Sequence, residues 1–295
     1  MNPKLSSGIS VVRINESILE FFKSNTRQQV RLRVQDDTIM NLVNSLDGTR
    51  TVQEIAEYFL VDLEELEELL DYLKSKGILD NIEPKDDFVK ISEFRRPIYF
   101  LSDFAKNHDH QVEMWNKLRN SKVLIIGLGA VGTWVACNLV ESGVENLFLL
   151  DPDEVDITNL HRQFGYTMED VGNKKTDALE QRLKKYNADI NVSKYNMMLD
   201  EVAMEVFNSE QLDLIINCAD KPNVDITTKW VGEYGMKRGI PHIVGGGYNM
   251  HLSLIGQTVI PGKSAFAKCF QLQLEEENTI DYQRVKKLQI RNRKV

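Results

Sequence analysis

The sequence predicts an α/β protein: a doubly wound, mostly parallel Rossmann-like sheet preceded by a small winged helix-turn-helix domain. Three observations carry that expectation. From Trp115 onward, unbroken apolar runs alternate with helical segments, as strands covered on both faces require. Gly127-Leu-Gly129-Ala-Val-Gly132 directly follows the first of those runs and opens a helix, the context a phosphate-binding turn needs. The first 85 residues carry short alternating segments and then leucines at helical spacing, a different and smaller architecture.

In residues 1–85, alternation around Ile9 to Ile14 and Val30 to Val34 predicts short strands, with a polar stretch at 23–29 between them. Ile39, Leu42, Val43 and Leu46 fall at helical intervals, and Asp47-Gly48 ends that helix. Thr51 and Glu54 form a capping box for a helix from Val52 to Phe59. A third helix runs from Asp62 to Lys76, with Leu63, Leu66, Leu69, Leu70 and Leu73 on one face and Glu64, Glu65, Glu67 and Glu68 largely on the other. Gly77 ends it, and Ile78-Leu79 opens a β wing, which completes a winged helix-turn-helix. The helix that would enter a DNA groove is strongly acidic, so a protein or peptide is the better partner.

Residues 86–115 read as a linker and arginine-bearing segment, with His108 and His110 in a loop. Residues 116–295 read as an ATP-binding domain. Its elements are a strand over 122–127, a helix to about Gly143, a strand over 146–151, and a helix over 174–187. A strand over 213–218, a helix over 225–239 and a strand over 242–245 follow.

Composition narrows the function. The chain has 295 residues, 42% hydrophobic and 27% charged, values of a soluble globular protein. It has no apolar run long enough to span a membrane and no apolar stretch at its start, so a cytoplasmic location is expected. A net charge of −8 argues against nucleic acid as partner, and the basic segment at 284–295 reads as a solvated tail. Cys137, Cys218 and Cys269 are odd in number and widely spaced, which argues against a disulfide framework. Apolar neighbours make Cys137 and Cys218 small core residues.

The chemistry-bearing residues cluster after the strands of the second domain. Gly127 permits a turn, Gly129 lets the backbone approach phosphate, and Gly132 permits close helix packing at a helix N-terminus that attracts anions. Asp151, ending the next strand, is placed for ribose hydroxyls. Those features alone fit a dinucleotide-dependent oxidoreductase equally well. The segment Asp151-Pro-Asp153-Glu-Val-Asp-Ile-Thr-Asn159-Leu-His-Arg162-Gln163 separates the readings. With Lys175 in Val171-Gly-Asn-Lys-Lys175, Asn159 and Arg162 supply the polar and cationic groups a triphosphate needs. Asp220, just past Asn217-Cys-Ala219, is where a carboxylate can hold magnesium against those phosphates. The structural alternatives are an Asp153–Arg162 ion pair and a helix cap by Asp220.

Together G-x-G-x-x-G, D-x-D-x-V-x-x-x-N-L-x-R-Q, V-G-x-x-K and N-C-A-D resemble the adenylation domain shared by thiamin and molybdopterin sulfur-carrier activators and ubiquitin-activating enzymes, the ThiF/MoeB family. The likeness covers about residues 93 to 270 and is nearest the branch that adenylates ribosomal peptides, as in microcin C maturation. The stretches L-D-G-T-R-T-V-Q-E-I-A and L-x-x-L-L-D-Y-L-K-S-K-G-I-L resemble precursor-peptide recognition domains of peptide maturation enzymes, over about residues 8 to 82; a docking or dimerisation module is the alternative.

The resemblance implies ATP and Mg2+ as cofactors. It implies Gly127, Gly129, Gly132, Asp151, Asp153, Asn159 and Gln163 as nucleotide-binding residues, with Gln163 orienting Arg162. It implies Arg162, Lys175, Asp220 and Arg96 as catalytic residues, Asp220 as the metal ligand, and Arg96 as reaching the triphosphate of the other subunit of a homodimer. A precursor peptide, with a separate modifying enzyme, completes the expected partners. The expected reaction is attack of a peptide carboxylate on the α-phosphorus, giving an acyl adenylate.

Two departures from the family pattern stand out. The family's C-x-x-C after a P-G-x-T/S segment is absent: Pro261-Gly-Lys-Ser264-Ala-Phe266-Ala-Lys-Cys269 has Phe266 where the first cysteine belongs, so zinc is not expected. The sequence also stops at Val295, before the elements that usually finish the carboxylate site. That keeps a peptide-delivery protein with a vestigial nucleotide pocket as the alternative function. An NAD-dependent oxidoreductase is disfavoured by N-L-x-R-Q. Gly245-Gly-Gly-Tyr248 reads as a turn or as room for a peptide terminus.

Overall fold

The computed structural model describes residues 2–6, 8–24, 26–34, 38–80, 93–105, 108–244, 256–266, 268–269 and 272, and the chain packs as two compact units, residues 1–116 and 117–295. The Gly245–Tyr248 stretch, the residues expected to continue a wing beyond Asp80, and the basic segment at 284–295 lie outside the described residues.

The first unit opens with a three-stranded antiparallel sheet in the order β1 (Ile9–Asn15), β2 (Ile18–Lys23), β3 (Gln28–Arg33). β2 falls in a stretch where no strand is expected from the sequence. Its Ile18-Leu-Glu-Phe-Phe run breaks strict alternation, and the central position in the sheet is what buries Leu19 and Phe21 almost completely. Phe21 pairs with Val30 and Leu19 with Leu32, so one face of the sheet joins the core.

That core is closed by α1 (Thr38–Asn44), α2 (Val52–Phe59) and α3 (Leu63–Ser75). The expected capping box is present: Thr51 Oγ1 accepts from the Glu54 N–H at 3.2 Å and Glu54 Oε2 accepts from the Thr51 N–H at 2.8 Å. Asp62 caps α3 by accepting from the N–H groups of Glu64 and Glu65. Leu66, Leu70 and Leu73 form its buried stripe, each such side chain contributing about 1.5–3 kcal/mol. Ile78 and Leu79 are buried, and Leu79 makes a single antiparallel bridge to Leu5.

Helix α4 (Arg95–Ser102) and helix α5 (His108–Asn120) follow, so His108 and His110 lie on a helix and not in the expected loop. The physical reason is a stripe at helical spacing that polar neighbours obscure: Gln111 and Trp115 are both 2% exposed. The Gln111 amide donates to the Ile98 carbonyl at 2.7 Å, and Phe94 stacks at a tilt on Trp115, 5.4 Å between ring centroids.

The second unit is a six-stranded sheet of β4 (Lys122–Ile126), β5 (Asn146–Leu150), β6 (Asn191–Tyr195), β7 (Leu214–Asn217), β8 (His242–Val244) and β9 (Gln257–Val259). The spatial order is β6-β5-β4-β7-β8-β9. Every pairing is parallel except β8 with β9. In β4, Val123 and Ile125 face one apolar layer and Leu124 and Ile126 the other, as strand alternation dictates. Helices α6 (Ala130–Glu141) and α7 (Lys175–Tyr186) cover the first layer, and α8 (Val224–Arg238) covers the second. The order runs outward in both directions from β4, so the chain reverses beside it and leaves a crevice at the carboxyl edge.

Candidate functional site

The floor of that crevice is the turn from β4 into α6. Gly127 has φ +84°, a left-handed conformation that glycine adopts without strain. A β-carbon there would also lie 2.8 Å from the main-chain nitrogen of Ala219. At Gly132 a β-carbon would sit 1.9 Å from the Gly127 carbonyl oxygen. Gly129 differs: a β-carbon would meet only the Gln163 amide nitrogen, at 3.8 Å, so its surroundings are open. Gly129 is the N-cap of α6 and no side chain caps that end, which leaves first-turn N–H groups for an anion.

Three side chains fix the turn. Asp151, 5% exposed, accepts from the Leu128 N–H at 2.6 Å and from the Asp153 N–H at 2.8 Å. Tyr166, 4% exposed, donates its hydroxyl to the Leu128 carbonyl at 2.9 Å. Thr133 donates to the Gly129 carbonyl at 2.8 Å. Burial pushes the Asp151 carboxyl above its ordinary range against those hydrogen bonds and the Lys175 charge, and likewise raises the Tyr166 phenol. Sequence reasoning missed Tyr166. Its one signal is position, since Phe164-Gly165-Tyr166 directly follows Gln163, and Gly165 must be small because Thr133 packs where a β-carbon would go.

Lys175 begins α7 with its side chain only 6% exposed. Its ammonium lies 2.9 Å from Asp153 Oδ2 and 3.9 Å from Asp151 Oδ1. The neighbouring Lys174 turns outward to Glu154 at 2.9 Å, so Lys175 is the inward lysine of the pair. Asp153 also faces the Lys221 ammonium at 3.8 Å. Desolvation pushes the Asp153 carboxyl up, but the Lys175 hydrogen bond and charge, with Lys221, outweigh it and hold the group below its ordinary value. The alternative Asp153–Arg162 ion pair is therefore replaced by pairs with two lysines.

Arg162 is exposed; its guanidinium donates to the Thr158 carbonyl at 3.0 Å and has no carboxylate partner among the described residues. Asn159 belongs to a short 3-10 turn, where its side-chain Oδ1 accepts from the Asp156 N–H at 3.3 Å. Gln163 is 4% exposed, and its side-chain oxygen has no partner; no hydrogen bond ties it to Arg162 among the described residues. Asp220 is exposed. The cap of α8 is Asn223, which accepts from the Ile226 N–H at 2.9 Å, so Asp220 is not the helix cap. Asn217 and Thr227 hold the loop before it: Asn217 accepts from the Ala219 N–H at 3.1 Å, and Thr227 donates to the Ala219 carbonyl at 3.0 Å. Cys137 and Cys218 pack with the apolar layer, and burial pushes the Cys218 thiol up to about 12. Arg96 is exposed on α4, in the first unit.

Among the described residues no three His, Cys, Asp or Glu side chains converge as a ready cation site. The exposed Asp220 still fits magnesium, which is commonly held by one or two carboxylates with phosphate oxygens and water supplying the rest.

The reversed strand order, the glycine turn and the charged groups after β5 and β7 define a Rossmann-like α/β protein with its candidate site at the carboxyl edge of the sheet. Comparison with known proteins gives the family. Residues 103–289 match the ThiF family, and the chain belongs to it. It is 34% identical over 154 residues to the adenylyltransferase and sulfurtransferase UBA4 of Debaryomyces hansenii, a match that covers 49% of this chain and 33% of that relative. The chain thus spans about a third of that relative's length. Its fold is similar to that of E. coli MccB with ATP, at a TM-score of 0.71 and 21% identity over 95% of this chain and 81% of the other. It is also similar to microcin C7 biosynthetic enzyme MccB in complex with N-formylated MccA, at 0.69 and 22% over 92% and 75%.

Proposed function

We propose that this protein is an ATP-dependent adenylyltransferase that activates a carboxylate of a ribosomally made precursor peptide. One observation carries the reading: an open, uncapped glycine turn is flanked by a buried Lys175 and by exposed Arg162 and Asp220 on loops at the same sheet edge. That set suits a triphosphate with its metal better than a dinucleotide, whose diphosphate needs less compensation. The names and ligands of the similar proteins, UBA4 as an adenylyltransferase and MccB with ATP and with MccA, support it.

In this reading Gly129 and the α6 N-terminus receive phosphate, Asp151 faces the ribose, and Asn159, Gln163 and Arg162 line the nucleotide. Asp220 would hold magnesium, which would offset charge on the polyphosphate. A peptide carboxylate oxygen bonds to the α-phosphorus as the bond to pyrophosphate breaks, and positioning and electrostatics supply most of the rate.

The first unit is the peptide-binding module in this proposal, as a winged-helix recognition domain. β3 is an edge strand, and a groove of about 550 Å³ lies between Gln28–Arg31 and Tyr72 and Ser75 of α3 with the following Lys76. An extended peptide adding to β3 would gain main-chain hydrogen bonds there. A homodimer belongs to the proposal because Arg96 is assigned to the partner's triphosphate; Trp134 and Val131, both exposed on α6, are consistent with a covered face.

The test is exchange of labelled pyrophosphate into ATP with candidate precursor peptides encoded beside the gene. Exchange that disappears in Asp220→Ala and Arg162→Ala supports adenylation. Tight leader binding without exchange overturns it in favour of a peptide-delivery protein.

A further inference from the structure

We propose that Lys221 is a polyphosphate-specificity residue, a cation held on Asp153 in the nucleotide-free protein that moves onto the outer phosphates of bound ATP. The inference rests on the ATP reading above and adds a residue to it.

The geometry starts from the sheet order. Asp153 follows β5 and Lys221 follows β7, and β4 lies between those strands. Their contact, 3.8 Å from Nζ to Oδ2, therefore crosses the crevice above the end of β4, where the glycine turn sits. Ligands of such sheets bind at this edge, beside that contact.

The two lysines on Asp153 are held very differently. Lys175 is 6% exposed and lies within 4 Å of two carboxylates. Lys221 is 66% exposed, its contact is longer, and Asp153 is its only carboxylate partner among the described residues. Exposed pairs of this kind hold weakly, so Lys221 leaves readily while Asp153 stays paired with Lys175.

Charge supplies the direction of movement. Asp151 and Asp153 are balanced by Lys175 and Lys221 before any ligand binds. A triphosphate adds several negative charges, more than one magnesium and Arg162 offset. Lys221 can shift without leaving a buried carboxylate unpaired, because Asp153 keeps Lys175, and a flexible ammonium suits phosphate as a point charge. A monophosphate, met by the α6 N-terminus, does not call on it. No covalent bond or proton changes hands.

Isothermal titration of the full chain with Mg-ATP and with AMP tests this on wild type, Lys221→Ala and Lys221→Arg, with thermal melting to confirm folding. Lys221→Ala is expected to bind ATP about tenfold more weakly, to bind AMP within about twofold of wild type, and to be rescued for ATP by Lys221→Arg. Unchanged ATP affinity in Lys221→Ala, or equal loss for ATP and AMP, overturns the proposal. A wild-type chain that binds neither nucleotide removes the ATP reading itself.

Discussion

The Leu128 N–H donates to Asp151 across 2.6 Å, from the turn after β4 to the end of β5. A buried carboxylate thereby fixes the middle of the glycine turn before any ligand arrives, and Tyr166 holds the carbonyl of the same residue. Asp151→Ala frees that N–H and removes one of the two carboxylates facing the buried Lys175. It is expected to lose about 2–4 kcal/mol of stability, read from urea unfolding. Tyr166→Phe strands one carbonyl and is expected to lose about 1–2 kcal/mol.

The three glycines of the turn are expected to separate in a pair of measurements. Gly132→Ala places a methyl 1.9 Å from the Gly127 oxygen, and Gly127→Ala places one against Ala219 at a positive φ. Both are expected to lower stability by more than about 2 kcal/mol. Gly129→Ala meets open space, so its melting temperature is expected to stay near wild type while ATP affinity falls.

Arg162→Ala and Asp220→Ala remove exposed groups that no ion pair engages among the described residues. Stability is expected to change by less than about 0.5 kcal/mol in each, whereas pyrophosphate exchange is expected to disappear. A large loss of stability in either variant would argue for a structural role.

His242 sets a pH dependence. It is fully buried, with Nδ1 2.9 Å from the Ile240 carbonyl; a carbonyl only accepts, which assigns the proton to Nδ1 in the neutral ring. Burial holds its pKa below 6.5. A depressed folded value contributes stability that is present above 6.5 and lost as pH falls through the folded value. Melting temperature is expected to drop between about pH 7 and pH 5, and less so in His242→Asn, whose amide can still donate to Ile240.

Much of this was legible in the sequence, for reasons that differ by element. Strands buried on both faces, such as β4 and β5, announce themselves as continuous apolar runs. The caps at Thr51 and Asp62 act within three residues and can be read locally. β6, with its Asn191-Val-Ser-Lys-Tyr195 sequence, and β9 are edge strands whose polar residues carry no periodic signal, and β2 owes its burial to neighbours on both sides. At the site, Gly127, Asp151 and Lys175 stand in recognisable spacings. Tyr166, Thr227 and Lys221 do not, because their partners are reached only through the fold: Tyr166 meets Leu128 across 38 residues, and Lys221 meets Asp153 across the sheet.

The fit of Gly127 against Ala219 on one side and Gly132 on the other leaves the floor of the crevice without slack. Swelling at any one of these three positions cannot be absorbed as compression and must appear as displacement of the others. The loop carrying Asp220 is thus calibrated by the width of a glycine in a different strand's turn. Sequence change at positions 127, 132 and 219 should be concerted, and a variant library at these three sites would recover function only in matched combinations.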